Sequence, residues 1–292
     1  MNLTQRIRSY FILSLLLCIS FASHSEPALW QIEKNGVKSY LFGTVHVGDA
    51  SMKGLPEKVT TALDDSEKLI VEVNISKISP MEMQRRSMPF MMLKNGKTLQ
   101  SELSEQNYKK LKKYFKDKSI DIAMFKNLAP WAVMVTMLQM EVQNIGFSEQ
   151  NGIDKQVLAY AESKNIQVGE LESIEYQMEM FNHLSLLSNE MIENTFEHLA
   201  DVETYFIPLV DAWKNGDMPM LSKYYNQSFD DSNYGEISEQ IMLIERNNNW
   251  VKKLTPRIGK EKLFIAVGAL HLPEQYGLLK QFKDQGFTLT RL

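Results

Sequence analysis

The chain has 292 residues, of which 44% are hydrophobic, 10% aromatic and 23% charged; this is ample material for a packed core and excludes an extended or disordered polymer. Its formal charge of −4 gives no electrostatic basis for nucleic-acid binding.

Residues 1–25 read as a signal peptide. Arg6 and Arg8 form a basic start, 11–22 an apolar stretch, and Ala22, Ser23 and Ser25 supply small residues for cleavage. Export, to the periplasm, is the expectation. The stretch is too short to span a bilayer comfortably, and the bulky Leu17 before Cys18 argues against lipidation. Cleavage would remove Arg6 and Arg8, taking the formal charge from −4 to −6, together with the only cysteine. The mature chain would then have no disulfide, thiolate nucleophile or cysteine metal ligand. No later run approaches the roughly 20 apolar residues of a membrane span, so no membrane association is expected after cleavage.

Residues 26–292 read as one domain with sheet segments over 28–75, 152–173 and 260–292 and helical segments over 80–145 and 175–252. A hairpin pairs 30–33 with 38–42 around Asn35-Gly36. Pro56 opens a short helix to Leu63, and 68–73 is the next strand. Helices follow, one started by Ser104 and another by Pro130. Gly152-Ile153-Asp154 introduces a helix through Ala161, and 166–168 resumes the sheet. The second helical block is expected to break near Pro208, Gly216-Asp217 and 230–235. Strand 263–267, helix 274–283 and strand 287–290 close the chain. The fold class is α/β (α+β): a central, largely parallel or mixed sheet with a large helical insertion.

Two apolar strands end in the same signal, Gly43-Thr44-Val45-His46 and Gly268-Ala269-Leu270-His271. Two further strand ends present carboxylates, Glu72 after 68–73 and Glu170 and Glu172 after 166–168. If these strands are parallel neighbours, His46, Glu72, Glu172 and His271 meet at one sheet edge, where open α/β folds place their ligands. Two imidazoles with one or two carboxylates suit a divalent metal such as Zn, Mn or Co and leave a position for water. A carboxylate outside the ligand set could act as general base, and such a site would perform hydrolysis. A strand-end cap explains either histidine alone; the duplication brings a functional reading level with that one.

The run from Tyr40 to His46, Val71-Glu72-Val73, Gly152-Ile153-Asp154, Leu171-Glu172 with Gln177, Glu245-Arg246-Asn247 and the run from Val267 to Leu272 occur in the order expected of the TraB/GumN family, which the chain resembles over essentially all of 26–292. The resemblance implies an architecture like that of erythromycin-esterase and ChaN-like proteins. It also implies, by analogy with the metal-dependent Tiki proteases, that His46 and His271 are metal ligands and Glu72 the essential glutamate. The expected activity is metal-dependent hydrolysis of a peptide or small carbonyl substrate. Glu72, Glu172 and Arg246 are the catalytic candidates, and which glutamate is ligand and which base stays open. The alternatives are a non-catalytic peptide- or ligand-binding, inhibitory module and a non-covalent haem binder. Oligomeric state is not legible.

Arg246 suits a substrate carboxylate or an ion pair with Glu172. Asp154 either faces the site or serves a helix start, and Thr44 either meets a ligand or satisfies strand-end backbone. His183 and His198, beside Leu, Met and Phe, read as partly buried helix residues. The Met clusters at 81–92 and 134–140 read as gap-filling packing, and Lys109 to Lys118 as a solvated face. No His-Glu-x-x-His helix, Gly-x-Ser-x-Gly elbow, Walker loop or Gly-x-Gly-x-x-Gly turn is present.

Overall fold

The computed structural model describes residues 26–199 and 201–292; the signal peptide expected over 1–25 lies outside them. Six strands form one sheet in the order β4-β3-β5-β2-β1-β6: β1 Leu29–Lys34, β2 Val37–Thr44, β3 Lys68–Val71, β4 Gln167–Glu170, β5 Leu263–Gly268 and β6 Thr288–Arg291. β4, β3, β5 and β2 run parallel, and β1 is antiparallel to both its neighbours. The mixed sheet is the one expected. Asn35 and Gly36 make the β1–β2 turn, with φ of 55° and 77°, the left-handed pair that a two-residue hairpin requires.

Alternation along the strands sends side chains to two cores. Phe42, Leu69, Val71 and Phe264 face helices α1 (Glu57–Asp64) and α5 (Ile153–Ser163). Leu41, Ile70, Ile265 and Val267 face α11 (Glu245–Leu254) and α12 (Leu278–Asp284), where Trp250 and Phe282 are fully buried. Both faces of the central strands are therefore covered, which is why they read as continuous apolar runs.

Between β3 and β4 lie α2 (Pro80–Met91), α3 (Glu105–Asp117), α4 (Pro130–Asn144) and α5. Between β4 and β5 lie α6 (Ile174–His183), α7 (Ser188–Leu199), α8 (Val202–Lys214), α9 (Met218–Ser228), α10 (Asn233–Glu239), a π-helical turn over Gln240–Ile244, and α11. The insertion has its own apolar cluster, in which Leu111 and Phe115 of α3 meet Val133 and Met137 of α4 and Ile192 of α7. Ser104 caps α3 by accepting from the Asn107 amide, the local signal that located its start. No helix among the described residues is long and apolar enough to cross a membrane.

Two of the expected boundaries do not fall where the sequence reading puts them, and the second helical block also breaks after His183 and after Leu199, where no break was expected. The break expected at Pro208 is absent: α8 runs through it. A proline removes one helical hydrogen bond, and the burial of Val210, Ala212 and Trp213 outweighs that loss. The last helix starts at Leu278, not Glu274, because Glu274 has a left-handed φ of 67°, which a helix of L-residues does not accommodate. Gly277 becomes the cap position instead.

Candidate functional site

The parallel register delivers the candidate residues to one edge. Gly43 lies opposite Val267, and Val71 opposite both Ala266 and Glu170, so His46, Glu72, Glu172 and His271 all leave the carboxyl ends of adjacent strands. Beyond the ladder, the Glu72 carbonyl accepts from the amides of Leu171 (3.1 Å) and Glu172 (2.8 Å). This extends the β3–β4 alignment just far enough to bring the two carboxylates together.

Arg246, from the start of α11, occupies the centre. Its Nη2 donates to Glu72 Oε2 at 2.5 Å and to Glu172 Oε2 at 2.9 Å, and its Nε donates to Glu172 Oε1 at 3.0 Å. Its Nη1 donates to the Met242 carbonyl and to Nε2 of His271, both at 3.1 Å. Two carboxylates are thus buried against one guanidinium, a fork geometry that lysine cannot reproduce. Other donors complete the set: Trp250 Nε1 to Glu172 (2.8 Å), Gln177 to both Glu172 (3.1 Å) and Glu72 (3.2 Å), and the Gly268 amide to Glu72 Oε1 (2.7 Å). Burial alone would push the Glu72 carboxyl up; the charge of Arg246, with the histidines and the Gly268 amide, overcomes this and holds it at about 2.

His271 is buried, 4% exposed, with Nδ1 2.7 Å from the side-chain oxygen of Asn247. Because Asn247 Oδ1 can only accept and Arg246 can only donate, the ring carries its proton on Nδ1 and keeps Nε2 as an acceptor. Burial first, and then the adjacent Arg246 charge, lowers its pKa to about 3, so it is neutral across the physiological range. His46 differs: its side chain is 74% exposed, and Nδ1 lies 3.0 Å from Asp154 Oδ2. The Asp154 carboxylate is the main cause of its pKa rising to about 9. Asp154 also accepts from Thr44 Oγ1 at 2.6 Å, which answers what Thr44 and Asp154 do: they orient the first histidine.

Glycines set two of these approaches. A Cβ on Gly43 would lie 2.9 Å from Leu272 Cδ1 and 3.0 Å from Ala269 Cα, so the first Gly-x-x-His unit packs directly on the second. A Cβ on Gly152 would lie 2.3 Å from the His46 carbonyl oxygen, and the Ile153 amide donates to the Val45 carbonyl. This contact seats Asp154 beside His46. Gly152→Ala should therefore cost about 1–3 kcal/mol by overpacking and separate His46 from Asp154. Urea denaturation and the His46 titration by NMR would check both; unchanged stability with an unchanged His46 pKa would refute the contact.

The residues surround a cavity of about 320 Å³. Its floor is His46, Glu72, Arg246 and His271, and its walls are apolar, including Phe206 and Leu209 of α8, Leu221 of α9, Phe229 and Met242. All five candidate residues come together, although Glu172 lies behind Arg246 rather than in the cavity wall. Among the described residues, no three His, Cys, Asp or Glu side chains stand close enough together to hold a metal ion. His271 Nε2 and Glu72 Oε1 are 4.0 Å apart, and Arg246 bonds to both side chains.

His198 is half-buried, its Nδ1 on the Asn194 carbonyl, whereas His183, expected to be partly buried, is exposed at the end of α6. The sequence reading assigned no role to Trp250 or to the apolar wall from α8 and α9. Trp250 was findable: it lies four residues after Arg246 and three after Asn247, hence on one face of α11.

The family model described as the TraB/PrgY/gumN family matches residues 28–291. The chain is 25% identical over 234 residues to the Shigella flexneri protein described as "Uncharacterized protein YbaP", covering 80% of this chain and 83% of that protein. It is equally 25% identical, over 233 residues and the same shares, to the protein of that description from Escherichia coli (strain K12). No solved structure matches. With the family model spanning nearly all the described residues, the chain belongs to the TraB/PrgY/gumN family.

Proposed function

We propose that this sheet edge is a hydrolytic site for a peptide or related small carbonyl substrate, with a divalent metal of the Mn, Co or Zn type held by His46, His271 and Glu72. The orientation of the two imidazoles is the observation that supports the reading. Each engages Nδ1 with a fixed acceptor, Asp154 or Asn247, which turns Nε2 toward ligand duty as is usual for metal-ligating histidines; on His271 that atom accepts from Arg246, which an ion would displace. Glu72 is ionised and His271 Nε2 is unprotonated, the forms in which both ligate; His46, with its pKa raised to about 9, would have to give up its proton and the three side chains draw together for an ion to be held. When bound, such an ion would lower the pKa of water and polarise a carbonyl. Glu172, whose oxygens are taken by Arg246, Trp250 and Gln177, acts in this reading as the anchor of Arg246. Arg246 holds a substrate oxygen once it gives up His271.

A second reading has its own support. Arg246 is a resident cation that balances the buried carboxylates without any metal, as a non-catalytic peptide- or ligand-binding, inhibitory module would need. Elemental analysis of purified 26–292 should find about one metal ion per chain, as in a site with three protein ligands, and the His46→Ala, His271→Ala double variant should lose it. Metal that survives both substitutions would sink the ligand assignment. Peptide-library turnover abolished by a chelator is the expected outcome; stoichiometric peptide binding without turnover would favour the binding module.

A further inference from the structure

A second cavity of about 340 Å³ lies in the helical insertion, between α4, α7, α8 and the π-helical turn. Phe206, Phe229 and Met242 line both this cavity and the one at the sheet edge, so the two adjoin across a single layer of side chains. Met242 ties that layer to the reactive end, since its carbonyl accepts from Arg246. The π-helical turn Gln240–Ile244 holds it there, an irregularity common at functional sites.

The inner cavity is mainly apolar, with most of its polar side chains, Tyr234 and Asn194 apart, already hydrogen-bonded. Met134, Leu138 and Val142 of α4 and Leu199 of α7 form much of its wall. The hydroxyls of Thr195 and Ser238 donate to the carbonyls of Met191 and Gly235, those of Tyr205 and Ser228 bond each other at 2.7 Å, and His198 Nδ1 is bonded to the Asn194 carbonyl. A peptide backbone entering here would bury amides that find few partners, which is unfavourable. A saturated chain carries no polar group beyond its carbonyl and loses nothing.

We propose that the inner cavity is an acyl-chain subsite, so that the substrate is a fatty acyl amide whose carbonyl lies at the sheet edge and whose chain passes Phe206, Phe229 and Met242. At about 30 Å³ per water-sized group, the inner cavity holds a chain of roughly ten carbons. The proposal rests on the hydrolytic reading above for its chemistry: water adds to the carbonyl carbon, the C–N bond breaks, the amine takes the proton, and a free fatty acid leaves. Binding of the chain does not depend on that step.

The test is a calorimetric binding series on purified 26–292 with N-acetyl-, N-hexanoyl-, N-decanoyl- and N-hexadecanoylglycinamide. Each buried methylene multiplies affinity by about four, so decanoyl should bind on the order of 100-fold more tightly than hexanoyl, and hexadecanoyl, whose chain reaches further into the inner cavity, more tightly still. Leu138→Trp, at a half-buried position, should fill the cavity and erase the gain beyond hexanoyl. Should that variant not fold, photolabelling of the wild type with a diazirine-tipped decanoylglycinamide should mark α4 or α7. Affinity independent of chain length, or labelling elsewhere, overturns the subsite. Chain-length-dependent binding without amide turnover removes the hydrolytic reading alone, and peptide turnover without chain-length dependence removes the subsite alone.

Discussion

Arg246→Met is expected to destabilise the metal-free protein by about 3–5 kcal/mol, the range for stripping one partner from a buried ion pair. The side chain is 7% exposed, and its two carboxylate partners are 10% and 4% exposed. Removing it leaves both carboxylates buried, 8% exposed as whole residues, with only Gln177, Trp250 and the Gly268 amide to satisfy them. Glu72 should respond by taking up a proton, because the Arg246 charge is the largest influence opposing burial. Arg246→Lys should recover only part of the loss, since an ammonium cannot engage Glu72, Glu172, His271 and the Met242 carbonyl from one plane. Adding Glu172→Gln to Arg246→Met should restore stability relative to the single variant, because the pair shares one network. Urea denaturation midpoints would measure all three. A loss below about 1 kcal/mol for Arg246→Met, the level of an exposed pair, would show that the cluster is hydrated and the buried-pair account wrong.

That cluster also marks the limit of what the sequence disclosed. Short continuous apolar runs and the Asn35-Gly36 turn located the strands, because a strand buried on both faces writes its apolar run directly into the chain. The Gly-x-x-His units were legible for a steric reason now visible: Gly43 has no room for a side chain against Ala269 and Leu272. Arg246 was named beside Glu172, yet its hold on Glu72 and on His271 at once was not, since the partners lie 174 and 25 positions away and only the β3–β5 register and the approach of α11 bring them together. The apolar wall was invisible for a similar reason. Phe206, Leu209 and Leu221 lie on helices whose apolar residues looked like ordinary core, and the face that is left uncovered depends on how α8 and α9 lean on the sheet edge. Pro208 misled because local propensity predicted a break that tertiary burial overrides.

The same buried groups give the metal-free protein an asymmetric pH profile. His271 in the folded chain has a pKa of about 3 against 6.5 for the free side chain. Below pH 6.5 the unfolded chain therefore binds a proton that the folded chain refuses, and stability falls as pH falls. Glu72 sits at about 2 against 4.5. It contributes about 3 kcal/mol above pH 4.5, which is lost as pH drops through 2. His46 acts in the opposite direction: with its pKa raised from 6.5 to about 9, its contribution is complete below 6.5 and disappears as pH rises through 9. Stability should peak near pH 6.5 and decline more steeply on the acid side, because His271 is buried and His46 is exposed. Between pH 6.5 and 4.5 His271 is the main contributor, since the depressed carboxylates begin to titrate only near the lower end of that range and only in the unfolded chain. Urea midpoints across that window should fall for the wild type and stay nearly level for His271→Asn, which has no imidazole to protonate. A wild-type profile flat from 6.5 to 4.5 would mean that His271 accepts its proton in the folded state, and that its Nε2 is not held against Arg246.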